Sequence, residues 1–198
     1  LGHGTHVAGI IGAKNNTIGV CGVAAGVPLI SVKVIGDNGK GRLSDVIAGL
    51  AYTAGLATHK DVVHLSLGSL ASIILDSAVI ACRNQSGATI VVAAGNESAN
   101  VAAYSPARII HTGILVVAAV DPADQFSSFS NFGANRIAYA APGEMILSTF
   151  TDGKYAVMSG TSLAAPHVSG ILLSSFKATG SGVALNPPDG ALYRIIHR

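Results

Sequence analysis

The sequence predicts an α/β fold of three layers, a mostly parallel sheet covered by helices on both faces. Three observations lead there. Apolar runs of strand length alternate with longer runs of helical periodicity, the grammar of a parallel sheet with crossover helices. Two of the short runs, Ala88–Ala94 (ATIVVAA) and Ile114–Val120 (ILVVAAV), are nearly continuous, as in strands buried on both faces. Charged residues are only 11% of the chain against 49% hydrophobic, with 24 glycines, so most of the backbone must be packed rather than solvated.

The elements follow in order. Leu29–Ile35 (LISVKVI) reads as a buried strand ended by the turn Gly36-Asp37-Asn38-Gly39, where Gly tolerates positive φ and Asx side chains bond their own backbone. Ser44 is a good N-cap for a helix whose apolar face is Val46, Ile47, Leu50, Ala51 and Ala54, with Gly55 near its end. Val62–Leu67 is the next strand. Ile73–Arg83 is helical and ends in the polar stretch Asn84–Gly87, and the two buried strands follow. Asp121–Thr151, richer in Gly, Ser, Asn and Pro, reads as loops and short strands. Gly180–Gly190 reads as a surface loop before a last helical pattern that ends at Arg198.

Composition excludes several classes of function. The 198 residues fit one domain or a large part of one. The formal charge of +2, without a basic run longer than two residues or clustered aromatics, argues against nucleic acid as a partner. Mean hydropathy is +0.53, yet no apolar run approaches the ~20 residues that span a bilayer, so no membrane partner is expected. Cys21 and Cys82 show no metal spacing and read as core thiols, with one disulfide between them as the alternative. The chain opens on Leu1 rather than Met, so a leader cannot be judged.

Three segments carry chemistry. His3-Gly4-Thr5-His6-Val7-Ala8-Gly9 puts a histidine ahead of an apolar helical run. Ala93-Ala94-Gly95-Asn96 ends a strand in a glycine and then an amide. In Ser159-Gly160-Thr161-Ser162-Leu163-Ala164-Ala165-Pro166-His167-Val168-Ser169-Gly170 a serine opens a helix of small residues. A serine at a helix N-terminus lies in a positive backbone field, which suits a nucleophile that passes through an oxyanion. Together the segments offer base, oxyanion donor and nucleophile.

These blocks, in this order, resemble the subtilisin-like serine proteases (subtilases, peptidase family S8), and the resemblance covers essentially the whole chain. It implies a serine endopeptidase with His3 as general base, Ser162 as nucleophile and Asn96 as side-chain oxyanion donor, without a catalytic cofactor. It also implies that Gly39-Lys40-Gly41 and Ser66-Leu67-Gly68 are the two edges that pair with a polypeptide substrate, and that Ala94 and Gly95 line the primary specificity pocket. Residues 103–113 match the family only loosely, so cleavage preference is not legible. Lys14-Asn15-Asn16-Thr17-Ile18-Gly19-Val20 is similar to the family's calcium loop, with Lys14, Asn16, Ile18 and Val20 as ligands of a partial structural calcium site; hard Ca²⁺ wants six to eight oxygens. The expected state is an extracellular monomer, by family habit, with a prodomain in the full-length protein.

Other motif residues read as structural. His6 and His167 are expected to be hydrogen-bonded core or helix histidines, and a His3/His6 zinc pair lacks a third ligand. Asn15, Asn84 and Asn96 fit N-glycosylation sequons, although a glycan on Asn96 would block the site. Lys40 and Arg42 read as solvated turn charges. Family members carry an acid upstream of the histidine, and no Asp or Glu precedes His3. Asp37-Asn38-Gly39 imitates that motif but lies downstream and reads as a turn. Residues 1–198 are therefore expected to be a partial catalytic domain, truncated at the N-terminus, with the acid upstream in the full-length product. The other expectation is a catalytically inactive, subtilase-like binding or scaffold module that lacks the acid.

Overall fold

The computed structural model describes residues 2–174 and 179–197. In chain order the elements are α1 (His3–Gly12), α2 (Leu43–Leu56), β1 (Val62–Leu65), β2 (Ser69–Leu70), α3 (Ile73–Ser86), β3 (Thr89–Ala93) and β4 (Tyr104–Ser105). There follow β5 (Ile114–Val120), β6 (Ile137–Pro142), β7 (Ile146–Thr149), β8 (Tyr155–Met158), α4 (Thr161–Leu173), β9 (Thr179–Val183) and β10 (Arg194–His197). One sheet has the order β1-β3-β5-β6-β10-β9; every pairing in it is parallel except β10 with β9. Two short antiparallel ladders, β2–β4 and β7–β8, stand apart from it.

Strand alternation divides the interior into layers. Ile90, Val92, Val116 and Ala118 face α2 and α3, meeting Leu50, Leu75, Val79 and Cys82. Val91, Ala93, Val117 and Ala119 face the other way, onto Ala164, Ala165, Val168 and Ile171 of α4. On the outside of α4, Leu163 packs against Val7, Ile10 and Ile11 of α1. This is the expected three-layer arrangement, and the continuous apolar runs of β3 and β5 are explained by burial on both faces.

The helix limits follow local chemistry where a capping residue is present. Ser72 caps α3 by accepting the Leu75 N–H at 3.3 Å, and Gly87 ends it at φ 72°, a left-handed conformation that suits glycine. Ser44 does not cap α2: the helix begins one residue earlier, after extended Arg42, without a side-chain cap.

Three expectations are corrected. Leu29–Ile35 joins no ladder. Its β-branched residues extend the backbone, but a strand needs a partner for its N–H and C=O groups, and none lies beside it among the described residues. Val34 and Ile35 pack onto the α2 side of the core, while Leu29 and Ile30 are exposed. Of the expected C-terminal loop, residues 180–183 belong to β9 while residues 184–190 are loop, and the expected last helix is instead β10. Ile195 and Ile196, adjacent in sequence, are buried in the two different cores, an alternation that a strand satisfies and one face of a helix does not. Arg198, the expected helix end, lies outside the described residues. Lastly, Cys21 is exposed and Cys82 buried, both as free thiols, so only Cys82 is a core residue.

Burial sets the expected stability response. Ile90 is fully buried between layers, so Ile90→Ala should cost about 2–5 kcal/mol. Ile74→Ala, at a residue 62% exposed, should change stability by less than about 0.5 kcal/mol. Urea unfolding midpoints of the two variants measure the contrast.

Candidate active site

The site lies at the carboxyl ends of β1 and β3, where the chain leaves the sheet. Gly160, at φ 150°, turns the chain into α4, with Thr161 and Ser162 as the first two helical residues. Alanine at Gly160 would adopt that conformation with difficulty, although its Cβ would meet Asn96 Nδ2 only at contact distance, 3.4 Å. Ser162 is half-buried, and its N–H lies in the first turn, where a helix offers no internal acceptor.

Asn96 follows β3 through Gly95, at φ 101°. Its Oδ1 accepts Thr161 N–H at 2.8 Å and Thr161 Oγ1–H at 3.0 Å, while Thr161 Oγ1 accepts Gly95 N–H at 3.0 Å. With Oδ1 held by two donors, the orientation of the amide is fixed. Among the described residues Nδ2 has no hydrogen-bond partner, and Asn96 lines the cleft. Asn131, fully buried, fastens the same loop: its Oδ1 accepts Glu97 N–H and Ala99 N–H, and its Nδ2 donates to Ala94 O and to Glu97 Oε2 at 2.6 Å.

A cleft of about 460 Å³ opens beside these groups. Asn96 and Ser162 line it, as do Ser66, Leu67, Gly68, Ala94 and Gly95. His3 is not among its walls, and of the residues expected to pair with substrate neither are Gly39, Lys40 and Gly41. They form an exposed turn in which Lys40 O accepts Gly36 N–H at 2.8 Å and Lys40 N–H donates to Asn38 Oδ1 at 3.0 Å. Asp37 lies in that turn, where a hydrogen bond and then the charge of Lys33 hold its carboxyl below the usual range.

His3 opens α1, half-buried. Burial, and then the neighbouring His6, lower its pKa from the ordinary 6.5, so the ring is neutral and able to accept a proton at pH 7. No carboxylate contributes to its ionisation. It shares no hydrogen bond with Ser162 in this structure, although α1 packs on α4 next to that residue. His6 is fully buried with Nε2 on Ala156 O at 2.9 Å, and His167 Nδ1–H donates to Leu163 O at 2.8 Å.

Sequence reasoning missed five contributors: Thr161, which orients Asn96; Asn131, which clamps the loop; Tyr104 and Glu97 in the cleft wall; and His64. Both ring nitrogens of His64 bond serine hydroxyls, and burial followed by the charge of His3 pushes its pKa down to about 3. Thr161 is legible beside Ser162. Asn131 and His64 stand among ordinary strand and loop residues, with no local pattern to mark them.

In the loop 14–20, the carbonyls of Lys14, Ile18 and Val20 accept no hydrogen bond from the described residues, and Asn16 Oδ1 accepts Ile18 N–H at 2.9 Å. Among the described residues no cluster of three His, Cys, Asp or Glu could hold a metal ion.

The subtilase family profile matches residues 1–184. Alkaline serine exoprotease A of Vibrio alginolyticus is 45% identical over 170 residues, 86% of this chain and 30% of that protein. Subtilisin Savinase of Lederbergia lenta is 42% identical over 170 residues, 85% of this chain and 61% of its own length. The crystal structure of a cold-adapted subtilisin-like serine proteinase superposes with a TM-score of 0.86 at 34% identity, covering 98% of this chain and 73% of that one. The chain thus spans between about a third and three fifths of these curated relatives. Fold, motif order and family match agree, and the chain belongs to the subtilase family.

Proposed function

We propose that this chain carries the base, nucleophile and oxyanion donors of a serine endopeptidase acting on polypeptides. One observation carries the reading: two unpaired N–H donors, Asn96 Nδ2 and the Ser162 amide, stand at the cleft into which Ser162 opens. In this reading His3 takes the Ser162 hydroxyl proton as Ser162 attacks a peptide carbonyl, and returns it to the leaving amine. The two donors hold the oxygen that becomes negative, and because Thr161 has already oriented Asn96, little reorganisation is required as the charge develops. The acid that would orient His3 is proposed to come from chain outside these 198 residues, since burial and His6 alone govern its ionisation here. An extracellular location is proposed from the names of the alkaline protease relatives.

A non-catalytic scaffold is the competing reading, favoured by that same lack of a carboxylate at His3. A serine-directed fluorophosphonate applied to the full-length protein separates the two. Labelling at Ser162 is expected; no adduct in a full-length protein that has an upstream acid would establish the scaffold. The 198-residue chain by itself should hydrolyse peptides about 10⁴-fold more slowly, since His3 lacks an orienting partner. Asn96→Leu should lower kcat about 10²–10³-fold, the range known for such donors in subtilisin itself, with KM nearly unchanged. Equal effects on kcat and KM would remove Asn96 from the oxyanion role.

We also propose a structural calcium ion at the loop 14–20, held by the Lys14, Ile18 and Val20 carbonyls and Asn16 Oδ1. Four neutral oxygens fit part of the six to eight that Ca²⁺ takes. Millimolar calcium should raise the Tm of chelator-treated protein, and Asn16→Leu should abolish the rise; an unchanged Tm in the parent would exclude the site.

A further inference from the structure

Pro166 sits inside α4, four residues after Ser162. Proline has no N–H, and its ring crowds the carbonyl four residues back, so the Ser162 carbonyl lacks the donor that α4 would otherwise provide. The donor comes from another element. Ser66 Oγ–H, just beyond β1, donates to Ser162 O at 2.9 Å.

That bond fixes the hydrogens of its neighbours. A hydroxyl has one proton, so Ser66 Oγ must accept at its other contact, His64 Nε2 at 2.7 Å, and His64 is the Nε2–H tautomer. Nδ1 is then an acceptor and takes Ser169 Oγ–H at 2.9 Å. In the opposite register, Nδ1–H would turn Ser169 Oγ–H onto Ala165 O at 3.4 Å. It would also draw Ser66 Oγ–H to Nε2 and leave Ser162 O bare. One register has three short bonds; the other has two and a long contact, with a carbonyl unsatisfied, the costlier arrangement in a protein interior.

We propose that His64 is a positioning residue for the nucleophile: its Nε2–H holds the Ser66 hydroxyl on the Ser162 carbonyl, and so sets the first turn of α4 against the Ser66–Gly68 wall of the cleft. The inference rests on the reading of Ser162 as nucleophile. His64 shares its face of β1 with Val62, which packs on the apolar α4 side of the sheet, so a core role alone gives no reason for an imidazole there. The ring stays neutral chiefly because protein encloses it, and any protonation of His3 would only lower its pKa further. Three serines on two elements are thereby joined through one ring: Ser169 and Ser162 on α4, and Ser66 in the cleft wall.

Two measurements test this. The first is steady-state hydrolysis of a peptide amide by the full-length protein. His64→Leu should lower kcat about tenfold, the kinetic weight of one net hydrogen bond, with KM changed less than twofold. His64→Gln, whose amide N–H can still reach Ser66, should recover most of that loss. Ser66→Ala should match His64→Leu, and the double variant should be no slower than Ser66→Ala alone. An unchanged kcat in His64→Leu, or additive losses in the double variant, would overturn the proposal. The second is long-range ¹H–¹⁵N NMR of histidine-labelled protein, which reads the tautomer whether or not the protein is active. A neutral Nε2–H ring from pH 5 to 9 is expected, retained in Ser169→Ala and giving way to mixed tautomers in Ser66→Ala; an Nδ1–H ring in the parent would overturn the proposal. A parent that forms no Ser162 adduct but shows the Nε2–H ring removes the nucleophile reading and leaves the hydrogen-bond register established.

Discussion

The close seating of α4 on the sheet is the constraint on which the rest of the molecule depends. Ala164 and Ala165 let the helix approach Val91, Val117 and Ala119, and Val168 and Ile171 fill the space beside them. Gly170, on the same helix, meets Val23, where a Cβ would come within 2.6 Å. A helix packed this tightly cannot slide along its axis without collisions at several residues. Its first turn is therefore fixed relative to the ends of β1 and β3, and the Ser162 N–H and Asn96 amide come to one cleft. The small residues that lower the chain's polar content are the means by which a helix end is placed.

Packing alone does not orient polar groups, and here a second set of interactions takes over. Thr161 determines which end of the Asn96 amide faces the cleft, and Asn131 ties down the loop that carries it. Ser66 replaces the donor that Pro166 cannot supply. These bonds connect residues far apart in sequence and become possible only once the three layers are packed. The apolar layers set positions to within a side chain's width, and the buried polar bonds choose among the orientations left open.

That division of labour also explains what could be read in advance. Strands β3 and β5 were legible because burial on both faces leaves a continuous β-branched signature, and α3 because its apolar face over Ile73–Arg83 runs into the polar stretch Asn84–Gly87. His3, Asn96 and Ser162 stand in dense local motifs. Leu29–Ile35 misled because composition reports extended backbone but not the presence of a partner strand. The C-terminal segment misled because Tyr193, Ile195 and Ile196 satisfy a loose helical spacing, and only the two cores behind Ile195 and Ile196 reveal a strand. Asn131 and His64 left no trace, since a buried polar residue acquires its role from groups that fold against it.

The electrostatics of the site follow from the same burial. His3, His64 and His167 are all shifted below the ordinary histidine pKa, chiefly because the protein around them disfavours the charged ring. None of the three contributes a positive charge near neutral pH. In the proposed mechanism, negative charge developing beside Ser162 would be met by fixed neutral dipoles, the Asn96 amide, the Ser162 N–H and the first turn of α4, together with the cation that His3 becomes on taking the proton. Dipoles held by packing and by Thr161 do not have to turn as charge appears, whereas a mobile cation would have to be desolvated and ordered first. A neutral His3 suits the proposed mechanism, because a ring already carrying a proton could not accept the one that Ser162 would lose.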